Sequence, residues 1–476
     1  MSRTTTDPVL ALFHDAVETV PAYPAFLREL GLDPSSVRDP SQIPLTTKEN
    51  YHHRYPLADR CRYGRLADAV AVALSSGSSG APTVWPRSAL DERTVAERFE
   101  QVFRDGFDAA RRSTLAVVCF ALGNWVGGMY TVAAGRHLSA KGYPITLATP
   151  GNDVDEILRV VDQLAGQYDQ TVLLGYPPFV KNVIDAGSAR GVDWSRYRIR
   201  LVLAGEVFSE QWRDLVGHRA GIRDPATGIA SLYGTADAGV LANETPLSVR
   251  IRRFAAERPD IASELFGRSR LPTLLQYDPA ARQFEAGPDG TLVFSADGTV
   301  PLVRYHIADE GGLYPYDELL GRCRDAGFDP GPGPELPFVY VFGRSLFTVS
   351  YFGANIYPEN VTVGLERAPV SDWTTGRFVL DTVEDTDRDR RLTVVVELAD
   401  GAEPSADRER LVADSIRTEL LRLNSEFAHY VPSACQTPQV DLRRSGDPEY
   451  FSRGVKHRYT RGPVPGASDR DRPGTR

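Results

Sequence analysis

The chain has 476 residues, 42% hydrophobic and 25% charged, with 41 Gly and 34 Pro, so a substantial core and about two or three packed units are expected rather than one compact domain or a disordered chain. Its net charge of -9 gives no electrostatic reason to bind nucleic acid. Four cysteines, Cys61, Cys119, Cys323 and Cys435, with no Cys-x-x-Cys pair, speak against a disulfide framework or a zinc site and for a reducing cytoplasmic setting.

The N-terminal stretch is polar, and His14 and Asp15 interrupt the apolar residues that follow, so no export signal is expected. The longest apolar runs, such as 115–122, are about eight residues against roughly twenty for a membrane-spanning helix, so no membrane partner is expected either. From about residue 70 to 310, short aliphatic runs alternate with longer amphipathic segments, the rhythm of a layered α/β domain. Strands are predicted over 71–74, 115–120, 171–174, 201–204 and 229–232, most ending near Gly, Ser or Pro, where ligands of such folds sit. Val154, Ile157, Leu158, Val161 and Leu164 recur at helical spacing, so a helix capped by Asn152 or Asp153 is predicted there, its apolar stripe serving the core.

After residue 310 the texture changes. Residues 325–337 hold four Pro and three Gly and read as a loop, followed by a strand over 338–342. A domain boundary is expected near Gly343. Beyond it a small α+β unit is predicted, with a helix after Pro358, strands over 378–383 and 392–398, and a helix over 407–423. Residues 461–476 are rich in Gly, Pro and Arg without periodic apolar positions, and are expected to be a disordered tail.

Four short stretches carry candidate chemistry. Ser75-Ser76-Gly77-Ser78-Ser79-Gly80 follows a predicted strand, and its backbone N–H groups and hydroxyls suit a phosphate, although the same composition makes a flexible connection. Tyr233-Gly234-Thr235-Ala236-Asp237 joins an aromatic face for a planar base to a carboxylate for a divalent cation, or is simply a surface turn. Arg304-Tyr305-His306-Ile307-Ala308-Asp309 places an acid at the expected far end of a strand, suited to ribose hydroxyls. Gly343-Arg344 then precedes Asn355-Ile356-Tyr357-Pro358-Glu359.

In this order the four stretches resemble the phenylacetate-CoA ligase branch of the adenylate-forming, AMP-binding enzymes, over about residues 10 to 460. The resemblance implies a large layered α/β adenylation domain over 1–342, a hinge at 343–346 and a small α+β C-terminal lid domain over 347–460. It implies ATP and Mg2+ as cofactors and a carboxylic acid, by its aromatic surroundings an aryl one, as substrate. CoA, an amine or a carrier protein is the implied acceptor, and a homodimer is open. The resemblance gives catalytic roles to Lys456, Asp237 and Arg344, with Asp237 as metal ligand. It gives nucleotide binding to Ser75, Ser76, Gly77, Ser78, Ser79, Gly80, Gly205, Glu206, Tyr233, Gly234, Thr235, Asp309 and Arg344. Asn124, Trp125, Gly128, Tyr176 and Ala204 are implied to line the acid pocket.

The chain departs from the pattern of that branch at Ala81, where Lys is usual, at Ala236, where Thr or Ser precedes the acid, at Asp237, which stands for Glu, and at Leu346 in the hinge. Adenylation is therefore expected more firmly than thioester formation. The alternatives are a specialised enzyme acting through an amine, a carrier protein or nitrite and an aryl amine, and a nucleotide-binding protein that has lost catalysis.

Overall fold

The computed structural model describes residues 7–75, 83–268, 271–344 and 348–451, without the side chains of Asp289 and Arg344. The chain divides into two compact units: residues 1–345 with 352–354 and 429–432, and residues 346–351 with 355–428 and 433–476.

The first unit is built on an eleven-stranded sheet. Its parallel part runs, in spatial order, Ile145–Ala148, Thr114–Val118, Gln170–Gly175, Ile199–Ala204 and Ile229–Thr235. Every residue of Thr114–Val118 and Gln170–Gly175 is buried, which is why these strands read as continuous apolar runs rather than alternations. The helix Val154–Leu164 forms as its spacing dictates, with Ile157, Leu158 and Val161 buried and Asp153 capping it by accepting from the Glu156 N–H at 3.0 Å.

Beyond Ile229–Thr235 the sheet turns antiparallel, through Gly239–Asn243, Thr273–Gln276, Phe338–Arg344, Leu302–Tyr314, Thr291–Ala296 and Arg282–Ala286. The change of texture at residue 310 thus falls inside the large sheet. A helix, Tyr316–Asp325, precedes the Pro-rich loop. The strand expected at 71–74 is Ala71–Ser75, and it does not join the large sheet: it pairs with Thr83–Arg87 in a separate two-stranded ribbon.

The second unit holds a three-stranded sheet in which Arg390–Leu398 lies between Thr374–Glu384, antiparallel, and Gln439–Arg443, parallel. The helices Pro358–Leu365 and Ala406–Leu423 belong to it. Asn360 accepts from the Tyr357 N–H at 3.3 Å and from Asn424 at 3.2 Å, while Glu426 accepts from the Asn355 N–H at 3.1 Å. The first of these bonds satisfies a backbone group at the start of Pro358–Leu365 and the last one in the strand before it, a structural use of the Asn355 to Glu359 motif. Among the described residues no helix is long and apolar enough to cross a membrane.

Candidate active site

Tyr233 and Asp237 stand four positions apart, as do Tyr305 and Asp309, and the structure crosses the two pairs. The Tyr233 hydroxyl donates to Asp309 Oδ2 at 2.6 Å, and the Tyr305 hydroxyl donates to Asp237 Oδ2 at 2.7 Å. Each element therefore lends its phenol to the other's carboxylate. Tyr233 is reached because Ile229–Thr235 is buried over its first four residues and loosens at its end, and its ring stacks on Phe284 at 6.4 Å between centroids.

Asp309 lies inside the strand Leu302–Tyr314 rather than at its end. The preceding residue, Ala308, has φ 60°, and the register with Phe338–Arg344 shifts just after Asp309, between Glu310 and Gly311. A bulge of this kind re-aims a side chain without ending the strand. Asp309 pairs across the strands with Arg344.

Asp237 sits in the turn between Ile229–Thr235 and Gly239–Asn243. Gly234 lies at the register shift of that hairpin, and Thr235 accepts from the Ala238 N–H at 3.1 Å. Arg87 donates to the carbonyls of Ala236 and Asp237 at 2.5 and 2.7 Å, and Arg282 to that of Ala238 at 3.2 Å. Two buried guanidinium groups thus pin the turn through its backbone. The Asp237 carboxylate also receives a partner that sequence reasoning missed: Lys48 Nζ lies 3.1 Å from Oδ1.

Ser75 accepts from the Trp85 indole N–H at 3.1 Å. Ser76, Gly77, Ser78, Ser79 and Gly80, with Ala81, lie outside the described residues, as do Leu346 and Lys456.

The residues expected to hold the acid gather around Tyr176, which opens the helix Pro177–Ala189. Phe120 meets its ring edge-on at 4.9 Å, Tyr430 lies at 5.0 Å, and Trp125 lies 5.0 Å from Tyr430. Tyr430 was not legible as a site residue. Ala204 ends its strand, and Gly205 follows with φ 89°; a Cβ there would stand 2.8 Å from the Tyr176 ring. Glu206 accepts from the Gly353 N–H at 2.6 Å. Asn124 accepts from the Leu74 N–H at 3.0 Å, tying this wall to the strand that leads to Ser75. At Gly128 a Cβ would fall 2.3 Å from the Ala121 carbonyl oxygen.

Gly205→Ala is expected to destabilise the chain by about 1–3 kcal/mol, because the new methyl group meets the ring in a backbone conformation that L-residues avoid. Denaturant unfolding checks this, and a midpoint equal to that of the parent chain would contradict the close approach.

No protein-family model matches the sequence, and no curated protein matches it. Solved structures do match. A 2-hydroxyisobutyryl-CoA ligase in complex with 2-HIB-AMP and CoA in the thioesterification state aligns with a TM-score of 0.66 at 15% identity, over 97% of this chain and 90% of that one. An open conformation of the same ligase with 2-HIB-AMP and CoA gives 0.53 at 15% identity over 95% and 90%. The fold is that of the adenylate-forming enzymes. Similarity at this level of identity concerns architecture.

The resemblance places a magnesium ion beside Asp237. One Asp237 oxygen accepts from a phenol and the other faces an ammonium at 3.1 Å. A divalent ion beside Asp237 would need that carboxylate while lying against the Lys48 charge, with Arg87 and Arg282 close behind the turn. The residues present do not fit a magnesium ion held by Asp237.

Proposed function

We propose that this chain is an ATP-dependent, AMP-forming ligase that adenylates a carboxylic acid and hands the acyl group to CoA or another nucleophile. The observation that carries the reading is the crossed pair of Tyr233 with Asp309 and Tyr305 with Asp237. It brings the two motifs assigned to a nucleotide together in one unit whose fold is shared with ligases described with an acyl-AMP.

In this reading a carboxylate oxygen of the acid attacks the α-phosphorus of ATP, the bond to the bridging oxygen breaks, and pyrophosphate leaves. The acceptor then attacks the acyl carbon and releases AMP. Asp309 accepts from the ribose hydroxyls, and the Tyr233 face lies beside the adenine with Gly205, Glu206, Gly234 and Thr235 around it. The N–H groups of Ser75 to Gly80 take the leaving pyrophosphate, Arg344 contacts the nucleotide, and Lys456 neutralises charge on the α-phosphate. The small C-terminal unit acts as a lid over a hinge at 343–346.

An aryl acid of the phenylacetate kind suits the wall of Phe120, Trp125, Tyr176 and Tyr430, because edge-on and tilted ring contacts favour a flat apolar guest. Acid-dependent exchange of labelled pyrophosphate into ATP, run over aryl and aliphatic acids, tests both levels. Exchange with aryl acids supports the full reading, and exchange with aliphatic acids alone removes the aryl assignment. No exchange with any acid from folded protein removes the function.

A further inference from the structure

The segment that carries Lys48 is held by groups far along the chain. Thr46 donates its N–H to the Arg304 carbonyl at 3.1 Å, and its own carbonyl accepts from the His306 N–H at 2.9 Å. Its hydroxyl donates to the Val303 carbonyl at 2.9 Å. Thr47 then caps the turn Lys48–His52 by accepting from the Asn50 N–H at 3.1 Å. The segment is thereby laid along the strand that bears Tyr305 and Asp309, with Lys48 against Asp237.

The same segment reaches Thr83 directly and Ser75 through Trp85, the residues that flank 76–82. His53 Nε2 lies 3.2 Å from the Thr83 hydroxyl. His52 packs on Trp85 at 4.7 Å between rings, and Trp85 donates to Ser75. From Ser75 to Thr83 the sequence holds no Lys or Arg, so a phosphate beside Ser75 and Thr83 receives no countercharge from that stretch. His52 supplies none, because burial and the neighbouring Arg60 push its pKa down to about 3 and keep the ring neutral. Arg87 and Arg282 are buried and donate to backbone carbonyls.

The ion pair is asymmetric in a way that matters for a ligand. The Asp237 side chain is 2% exposed and that of Lys48 17%, so the lysine is the member of the pair that a ligand can reach. Asp237 orients this cation much as a buried acid orients a catalytic base.

We propose that Lys48 binds the triphosphate of the nucleotide, its ammonium holding beside Asp237 the place where a divalent ion would otherwise sit. The inference rests on the nucleotide site of the proposed function and adds to it the residue that recognises the phosphate chain. Lys48 acts by binding charge, so its contribution scales with the number of phosphates present.

Calorimetric titration of the full chain with ATP, ADP and AMP tests this, in the parent, in Lys48→Met and in the paired variant Lys48→Met with Asp237→Asn. The paired variant removes both charges and guards against misfolding from a bare buried acid. Loss of at least about tenfold in ATP affinity, less for ADP and none for AMP, is expected. A Lys48→Met chain that binds ATP as tightly as the parent, or that loses all three ligands equally, overturns the proposal; if the single variant does not fold, the paired one decides by the same comparison. A parent chain that binds none of the three overturns the nucleotide site itself, and this inference with it. Titration of the nucleotide-free parent with Mn2+, read by paramagnetic resonance, is expected to show no site that Asp237→Asn removes. Such a site would overturn the claim that Lys48 holds the cation position.

Discussion

Lys456→Ala is expected to lower acid-dependent pyrophosphate exchange by about two to three powers of ten while leaving ATP affinity within about threefold of the parent. The reason is the charge that gathers on the α-phosphate as the fifth oxygen arrives: a cation placed there stabilises the transition state more than the ground state, so its loss appears in the rate. Lys48 has the opposite signature, since a group that grips the triphosphate before reaction acts on affinity. The two lysines are therefore separable by one pair of measurements, exchange rate at saturating ATP and ATP affinity. Release of acyl groups from preformed acyl-AMP to an acceptor is expected to survive Lys456→Ala. Exchange within threefold of the parent would remove Lys456 from the chemistry.

The second large effect concerns the ground on which the site stands. Arg213 and Glu244 have side chains with 0% exposure and meet at 2.7 Å; Arg213 also donates to Glu210 at 2.9 Å and to the Ile229 carbonyl at 2.8 Å. Glu244 in turn accepts from the Ser231 N–H at 2.8 Å, and Arg252 reaches Glu210 and the carbonyls of Phe208 and Pro272. This network locks the strand that bears Tyr233. Arg213→Met leaves Glu244 as a buried charge without its partner, and a loss of about 3–5 kcal/mol is expected. Replacing Arg213 and Glu244 together by apolar residues of similar volume is expected to cost markedly less, because neither charge is then stranded. Equal losses in the single and double variants, measured by denaturant unfolding, would mean that the effect lies in packing and not in the stranded charge.

The fold was legible where one local rule decided the outcome. The helix Val154–Leu164 has apolar residues on one face and an aspartate at its start, and nothing distant competes with either. The parallel strands could be placed because a strand buried on both faces shows as a short aliphatic run. The strand Ala71–Ser75 was legible in the same way, but an aliphatic run does not say which strand it pairs with, and its partner is Thr83–Arg87 in a separate ribbon. The antiparallel half of the large sheet, from Gly239–Asn243 through Thr291–Ala296, gave no separate sign of its extent.

At the site, aromatic and acidic residues beside strand ends could be read as candidates, but their partners could not. Tyr233 meets Asp309 across the sheet, beside a positive φ at Ala308 and a register shift after Glu310 that no local spacing announces. Lys48 meets Asp237 only because Thr46 pairs with a strand about 260 positions away, its hydroxyl on the Val303 carbonyl. Neither contact has a signature in local spacing. A lone lysine after two threonines is indistinguishable from a surface residue until the strand beside it is known.

If a carboxylate oxygen attacks the α-phosphorus of ATP, oxygen labelling leaves a record of that attack in the nucleotide product. With an acid that supports pyrophosphate exchange, labelled with 18O in its carboxyl group, and an acceptor present, mass spectrometry of the nucleotide product is expected to find AMP carrying one 18O atom from the acid. Unlabelled AMP, or ADP formed together with labelled inorganic phosphate, would contradict it.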